Sequence, residues 1–314
     1  MAESEPEARL REAIEALVED AASARFGVAV SGGPDSMALL DLAARAFPGR
    51  VEAATVDHGL REASAAEAAM VADWCRQAGI AHATLHPQGA VRGNVQSWAR
   101  AQRYALLEEW RAARGLDWLL TAHHADDQLE TLLMRLNRGA GVGGLAGVRA
   151  RQGTVLRPLL DVRKADLHAY ALARDLPQVD DPSNSDLRFD RAALRMALSG
   201  VDWIDAAAAG RSAAALAEAE EALDWAVEGL EARHVLPDGD GLALDRTDLP
   251  RELLRRLILR MVARLQPDAA PPRGDAVDRL IAAARRGGKM SIGRLVLKGG
   301  ERWTLKVAPQ RRWQ

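Results

Sequence analysis

Val28–Ser36 reads VAVSGGPDS, and MALLDLAARAF follows at helical spacing. An apolar run of strand type therefore opens onto a helix through two glycines, a proline, two hydroxyls and a carboxylate. Such a loop at a helix N-terminus is a natural anion site. Gly32 and Gly33 let the backbone approach phosphate oxygens with no Cβ in the way. Ser31 and Ser36 offer hydroxyl donors, and the amides that begin the helix add the positive end of its dipole. Asp35 is the odd member, because a carboxylate beside a phosphate repels it unless a bridging Mg²⁺ reverses the sign. The loop lacks the lysine of GxxxxGK[ST] and does not fit GxGxxG, which excludes a Walker loop and a dinucleotide fingerprint. On these residues alone, an ordinary turn capped by Asp35 or Ser36 remains open.

Outward from this loop, strands and helices alternate. The sequence predicts strands over Phe26–Val30, Val51–Val56, Ala81–His86 and Trp118–Thr121, with helices over Asp35–Arg45, Ser64–Gln77, Val95–Arg114 and Asp126–Arg138. Ser64 and Glu67 have capping-box spacing. The alternation predicts an α/β domain with a parallel sheet covered on both faces and a ligand crevice at the carboxyl ends of its strands. The polar clusters fall at those ends: SGGPDS after the first strand, DHGLR after the second, AHHADDQLE after the fourth.

Beyond residue 200 the pattern changes. An Ala-rich helix starts at Ala206, two helical stretches follow near Arg251–Leu265 and Asp275–Arg285, and RLVLKGGERWTLKV alternates around Gly299-Gly300 as a hairpin. The expectation is a catalytic domain over 1–200 and a smaller, mainly helical domain over 201–314 ending in a β-hairpin. The net charge of −2 hides an asymmetry: Arg251–Gln314 holds 16 Lys+Arg against 5 Asp+Glu. A basic tail on an acidic body points to a polyanionic partner or to a solvated surface. No apolar run approaches the roughly 20 residues of a membrane helix. The N-terminus is acidic and amphipathic rather than signal-like. Cys75, the one cysteine, excludes a disulfide within the chain, a CxxC pair and a multi-cysteine metal site. A cytoplasmic protein is expected.

In AHHADDQLE, Asp126 and Glu130 lie four apart on a helix face, and Asp127 and Glu130 three apart. Capping explains one of these carboxylates, not three. Metal binding by the cluster is a rival, but adjacent His123 and His124 do not readily ligate one ion and HExxH spacing is absent. In SWARAQRYALLEEW, Arg100 and Arg103 share a helical face.

SGGPDS resembles the PP-loop, SGGxDS, of the N-type ATP pyrophosphatases, which cleave ATP between the α- and β-phosphates. Asp57-His58-Gly59-Leu60-Arg61, TAHHADDQLET (Thr121–Thr131) and RLNRGAGVGGLAG (Arg135–Gly147) resemble one branch of them, the tRNA(Ile)-lysidine synthetase family. The resemblance is strong over about residues 20–200 and looser over the C-terminal SIGRLVLKGGERWTLKVAPQRR. It implies an adenine nucleotide alpha hydrolase-like fold. ATP would activate the C2 oxygen of a wobble cytidine in tRNA(Ile), and the ε-amine of free L-lysine would displace AMP to give lysidine, changing decoding from Met to Ile.

The implied ATP site is Ser31, Gly32, Gly33, Pro34, Asp35 and Ser36 with His58 and His123, and Asp35 would take Mg²⁺. Asp35, Asp127, Glu130 and Arg103 are the implied catalytic residues. Arg135, Arg138, Arg191 and Arg195 would face the tRNA, the first two on a flexible glycine-rich loop. Members of the family end the segment over 180–195 with RNRIR, where this chain has RAALR. A homodimer is compatible with short two-domain members. The alternatives are another PP-loop tRNA-modifying enzyme, such as a cytidine thiolase, and a non-catalytic RNA-binding protein. Cys75 alone cannot supply the cysteine pairs or iron–sulfur cluster that such thiolases use, and intact Ser31, Asp35 and Ser36 count against a silent fold.

Overall fold

The computed structural model describes residues 5–59, 63–87, 95–179, 190–201, 203–270, 272 and 274–308. They divide into two compact units, 1–217 and 218–314.

In the first unit the order is α1 (Glu5–Glu15), β1 (Phe26–Ala29), α2 (Pro34–Ala46), β2 (Val51–Val56), α3 (Ala63–Ala78), β3 (Ala81–Leu85), α4 (Val95–Ala113), β4 (Trp118–Leu120) and α5 (Ala125–Asn137). The one-turn α6 (Val142–Leu145), β5 (Arg151–Gln152), β6 (Val155–Leu156), α7 (Lys164–Ala173) and α8 (Asp190–Leu198) follow. The sheet runs β3-β2-β1-β4-β6-β5, parallel except for the β5–β6 pair. Phe26 registers with Val51 on one side and with Trp118 on the other. The chain winds outward from β1 to β3 and then returns to place β4 on β1's other edge. That reversal is the topological switch point, where ligands of open α/β sheets bind.

Both faces are covered, as the alternation predicts. On one face Phe26 and Val28 join a core with α1, α2 and α7, including Met37, Leu39 and Leu40. Each of these fully buried leucines contributes about 1.5–3 kcal/mol. On the other face Ala54, Leu107, Trp110, Leu116 and Leu119 form a second core under α4. Gly27 permits that packing, since a Cβ there would lie 2.6 Å from the Trp110 ring. The helix expected from Ser64 is present within one residue of that start. α3 starts at Ala63, and the Ser64 hydroxyl hydrogen-bonds the Asp57 carboxylate, which holds the Asp57 pKa low.

The second unit carries most of α9 (Ala206–His234), then β7 (Val235–Asp238), β8 (Gly241–Leu244), α10 (Arg251–Leu265), α11 (Gly274–Arg285), β9 (Lys289–Ile292), β10 (Leu295–Lys298) and β11 (Trp303–Val307). The C-terminal hairpin is present as β10–β11, but it is the middle of a five-stranded antiparallel sheet, β7-β8-β11-β10-β9. Four-residue strands interrupted by Pro237 and by glycines carry little periodic signal, which is why the alternation showed two strands and not five. Trp303 is buried with Leu295, Leu297 and Leu305 against Leu257 and Leu280, so it packs rather than stacks on a ligand. Gly299 lies where a Cβ would sit 2.0 Å from the Ala284 carbonyl, so the turn closes onto the end of α11.

Candidate active site

The loop between β1 and α2 is preorganised by its own polar groups. Ser31 N–H donates to Ser36 Oγ (3.1 Å), and Ser36 Oγ donates to the Gly33 carbonyl (2.9 Å). Gly32 has φ of +84°, which a side chain rarely adopts, and its carbonyl accepts from Val179 N–H. Gly33 caps α2 with its backbone only, and Pro34 occupies the first helical turn. Asp35 follows with its carboxylate three-quarters covered. His124 Nε2 lies 3.6 Å from its Oδ2 and His168 Nε2 lies 3.3 Å from its Oδ1. Burial pushes the Asp35 pKa up, but His124, Lys164 and His168 together hold it below the ordinary value. The carboxylate is ionised at neutral pH.

Asp35 Oδ1 is buried without a hydrogen bond among the described residues. A cation would satisfy it. No group of three or more His, Cys, Asp or Glu among the described residues forms a metal cage.

At the end of β4 the two histidines diverge. His124 caps α5 in a box: its Nδ1 accepts from Asp127 N–H, and Asp127 Oδ2 accepts from His124 N–H at 3.2 Å. Burial works against its charge, but Asp35, Asp127 and Asp126 raise its pKa above the usual value. His123 bonds Thr121 Oγ1 through Nδ1 at 2.9 Å. Burial, together with the charges of Arg157, Arg103 and Arg100, outweighs Asp127 and lowers its pKa to about 4. His123 is therefore neutral at pH 7, between an acidic side and a basic side.

The basic side grows from α4 and from the end of β6. Arg100 and Arg103 lie 5.2 and 5.4 Å from the centre of the Tyr104 ring. Arg157, only 3% exposed, donates from Nη1 to the Arg149 carbonyl (2.7 Å) and from Nη2 to Gln152 Oε1 (3.2 Å). His58, at the end of β2, stands 6.2 Å from the Trp98 ring, and burial with the Arg103 charge lowers its pKa. The structure thus brings Ser31–Ser36, His123, Asp127 and Glu130 to the ends of β1 and β4, and His58 with Arg103 to the β2 side. Leu60 and Arg61 of the DHGLR element lie outside the described residues.

Three arginines expected to face tRNA make internal contacts. Arg195 pairs with both oxygens of the buried Glu130 and stands 3.7 Å from Asp127 Oδ1. Glu130 is therefore paired in place, and Asp127, 15% exposed against 4%, is the more accessible carboxylate of the two. Arg191 donates to Thr131 Oγ1 at 3.1 Å. Arg135 donates to the carbonyls of Gly144 and Gly147, pinning the glycine-rich loop around α6 instead of leaving it free. Arg138 is exposed at the end of α5. Sequence reasoning did not assign roles to His124, His168 or Arg157. His124 was visible beside His123, whereas His168 and Arg157 reach the site only through the packing of α7 and β6.

A PP-loop domain family model matches residues 6–201. The chain is 39% identical to a tRNA(Ile)-lysidine synthase of Zymomonas mobilis over 98% of its own length and 96% of the relative's. It is 43% identical to that of Novosphingobium aromaticivorans, covering 92% and 91% of the two chains. For Ruegeria pomeroyi the figures are 44%, 88% and 69%. Among solved structures it is similar in fold, at 17% identity and a TM-score of 0.56, to a U34-tRNA thiolase of Methanococcus maripaludis with its [4Fe-4S] cluster, over 69% of this chain and 79% of that one. At that identity the likeness speaks for the fold alone. The relatives span nearly the whole chain, and it belongs to the tRNA(Ile)-lysidine synthase family, built on a PP-loop domain.

Proposed function

We infer that the protein is an ATP-dependent ligase that joins L-lysine through its ε-amine to C2 of the wobble cytidine of tRNA(Ile). The observation that carries this reading is the ionised Asp35 at the start of α2, beside a Ser31–Ser36 loop and opposite Asp127 at the switch point of the sheet.

In the first step the cytidine C2 oxygen attacks the α-phosphorus of ATP. A P–O bond to the base forms, the bond to the β-phosphate breaks, and pyrophosphate leaves. Ser31 through Ser36 hold the phosphates with backbone amides and hydroxyls at the positive end of α2. Mg²⁺ on Asp35 would neutralise phosphate charge there. Neutral His123 and His58 accept or donate hydrogen bonds without adding charge next to the nucleotide. In the second step Asp127 holds the lysine ammonium and favours loss of its proton, and the free amine attacks C2, expelling AMP. Glu130, clamped by Arg195, positions α5 rather than meeting substrate.

The basic C-terminal unit supplies the RNA grip, and its pairing narrows where. Arg251, Arg255, Arg256, Arg260, Arg264, Arg279, Arg302 and Lys306 are tied to carboxylates. Exposed Arg285, Arg286, Lys289, Arg294 and Lys298 form no ion pair among the described residues. They would meet tRNA phosphates, while the base is chosen in the catalytic unit. A thiolase is disfavoured because buried Cys75 has its thiol pKa pushed up to about 11. No helix among the described residues is long and apolar enough to cross a membrane. A cytoplasmic location and a homodimer belong to the same reading.

The test is transfer of radiolabelled lysine to bulk bacterial tRNA with and without ATP and Mg²⁺. ATP-dependent label confined to the isoleucine tRNA with a wobble cytidine is expected. Folded, ATP-binding protein that transfers none would overturn the reading.

A further inference from the structure

α7 lies beside α2 and runs in the same direction. His168 meets Asp35, and six residues further along each segment Arg174, at the end of α7, meets Asp41. Both N-termini therefore reach the switch point, where Lys164 N–H of α7 also donates to Asp126 Oδ2 of α5 at 2.8 Å. Parallel neighbours put like dipole ends together, which repels the pair while concentrating positive potential at the cleft. Apolar packing does not close the interface. A cavity of about 140 Å³, lined by Leu10, Leu42, Leu159, Leu167 and Tyr170 among others, lies where α1, α2 and α7 meet.

A polar hub at the far end supplies what that packing leaves open. Asp41 on α2, only 5% exposed, accepts from Tyr170 Oη at 2.6 Å and Arg174 Nε at 3.2 Å across the helix pair. It also accepts from Arg45 Nε at 3.0 Å on its own helix. A buried carboxylate keeps its charge only while such donors stay in place, so α7 cannot slide along α2 without stranding it. At the cleft end nothing is closed in this way. His168 Nε2 lies 3.3 Å from Asp35 Oδ1, yet both atoms are buried without a hydrogen bond among the described residues. Their spacing is set by where α7 rests on α2 and not by a bond between them. We propose that Asp41 and Tyr170 are positioning residues for the adenylation step, fixing α7 along α2 and so holding His168 against Asp35 from about 9 Å down the helix. This rests on the lysine-ligase reading and extends it to residues that touch no substrate.

The experiment compares wild type, Tyr170→Phe, His168→Asn, the double variant and a control, Glu52→Gln, at a temperature where all are folded. Tyr170→Phe keeps the ring and removes only the hydroxyl; His168→Asn removes the nitrogen that faces Asp35. Glu52 is a buried carboxylate held by Arg25 at 2.8 Å and Arg114 at 2.7 Å near the start of β2, away from the carboxyl ends of the strands. Its loss tests destabilisation alone. Pyrophosphate release with tRNA(Ile) and ATP should slow about tenfold in kcat for Tyr170→Phe and for His168→Asn, as a displaced group does. The KM values for ATP and lysine should stay within about twofold, as should kcat for Glu52→Gln. Because the hub acts through His168, the double variant should be no slower than the slower single. Multiplied losses in the double variant, or an equal loss in Glu52→Gln, overturn the proposal. A second readout needs no activity: among the seven histidines, the ring resonance that disappears in His168→Asn should shift in ligand-free Tyr170→Phe and stay in place in Glu52→Gln. An unmoved resonance in Tyr170→Phe overturns the hub. Wild type that releases no pyrophosphate overturns the ligase reading instead, and the resonance still decides whether the hub holds His168.

Discussion

Arg256 and Arg157 are both largely buried arginines, and they keep opposite company. Arg256, on α10, touches three carboxylates: Glu220 at 2.6 Å, and Asp224 and Glu252 at 2.9 Å. These hold its pKa further above its already high ordinary value. Arg157, at the end of β6, touches none and rests on a carbonyl and an amide oxygen. The first finds its partners within its own unit and stabilises the packing of α9 on α10. The second is held by neutral oxygens, so no carboxylate among the described residues offsets its charge. A count of basic residues treats them alike, and only the partners separate a cation paired with carboxylates from one held by neutral oxygens.

The largest effect is expected on the acidic side of the cleft: Asp35→Ala should lower adenylation by about 10³-fold, as loss of a central electrostatic element does. Pyrophosphate release with tRNA and ATP measures it. Asp127→Ala should keep ATP binding and lose about 10²-fold in kcat/KM for lysine. Wild-type product from both variants would sink the assignment of the cleft.

Stability should divide the two arginines. Arg256→Gln leaves Glu220 and its neighbours uncompensated and should cost about 2–3 kcal/mol, discounted for the exposure of Asp224 and Glu252. Arg157→Gln removes a buried charge with no carboxylate, so its cost should stay below about 1 kcal/mol. Urea unfolding of the two variants gives both numbers. Equal losses would erase the distinction drawn above.

His123 offers a pH test. Its pKa falls from about 6.5 when unfolded to about 4 when folded, so the unfolded chain binds the extra proton between those values. The sign follows: stability is present above pH 6.5 and is lost as pH falls towards 4, by about 2–3 kcal/mol from this residue. His124, shifted upward, acts in the opposite direction, so the quantity to read is the difference between wild type and His123→Asn. That difference should flatten the acid limb. The smallest effect concerns RNA. Arg285→Ala with Arg286→Ala should weaken tRNA binding uniformly and reduce the salt slope by about 1–2, whereas Arg256→Gln should leave the slope unchanged.

How much of this could be read from the sequence depends on where chemistry and periodicity coincide. β1, the SGGPDS loop and α2 are legible because a fully buried parallel strand, a glycine turn and a helix follow one another with no competing signal. AHHADDQLE is legible for the same reason at β4 and α5. The contrast is Arg195, which looked like an RNA contact and sits on Glu130, and Arg135, which looked free and closes the loop around α6. A lone arginine carries no sign of its partner, because the partner is 9 to 65 residues away along the chain. His168 and Arg157 were silent for the same reason, as were β7, β8 and β9, whose four residues are too few to show a period.

The most direct measurement of the central claim is the stoichiometry of the reaction. With tRNA(Ile), lysine, Mg²⁺ and ATP labelled at its α- and γ-phosphates, one AMP and one pyrophosphate should appear for each lysine joined to the RNA. Appearance of ADP and inorganic phosphate instead would mean attack at the γ-phosphorus, and would contradict the role assigned to the Ser31–Ser36 loop and Asp35.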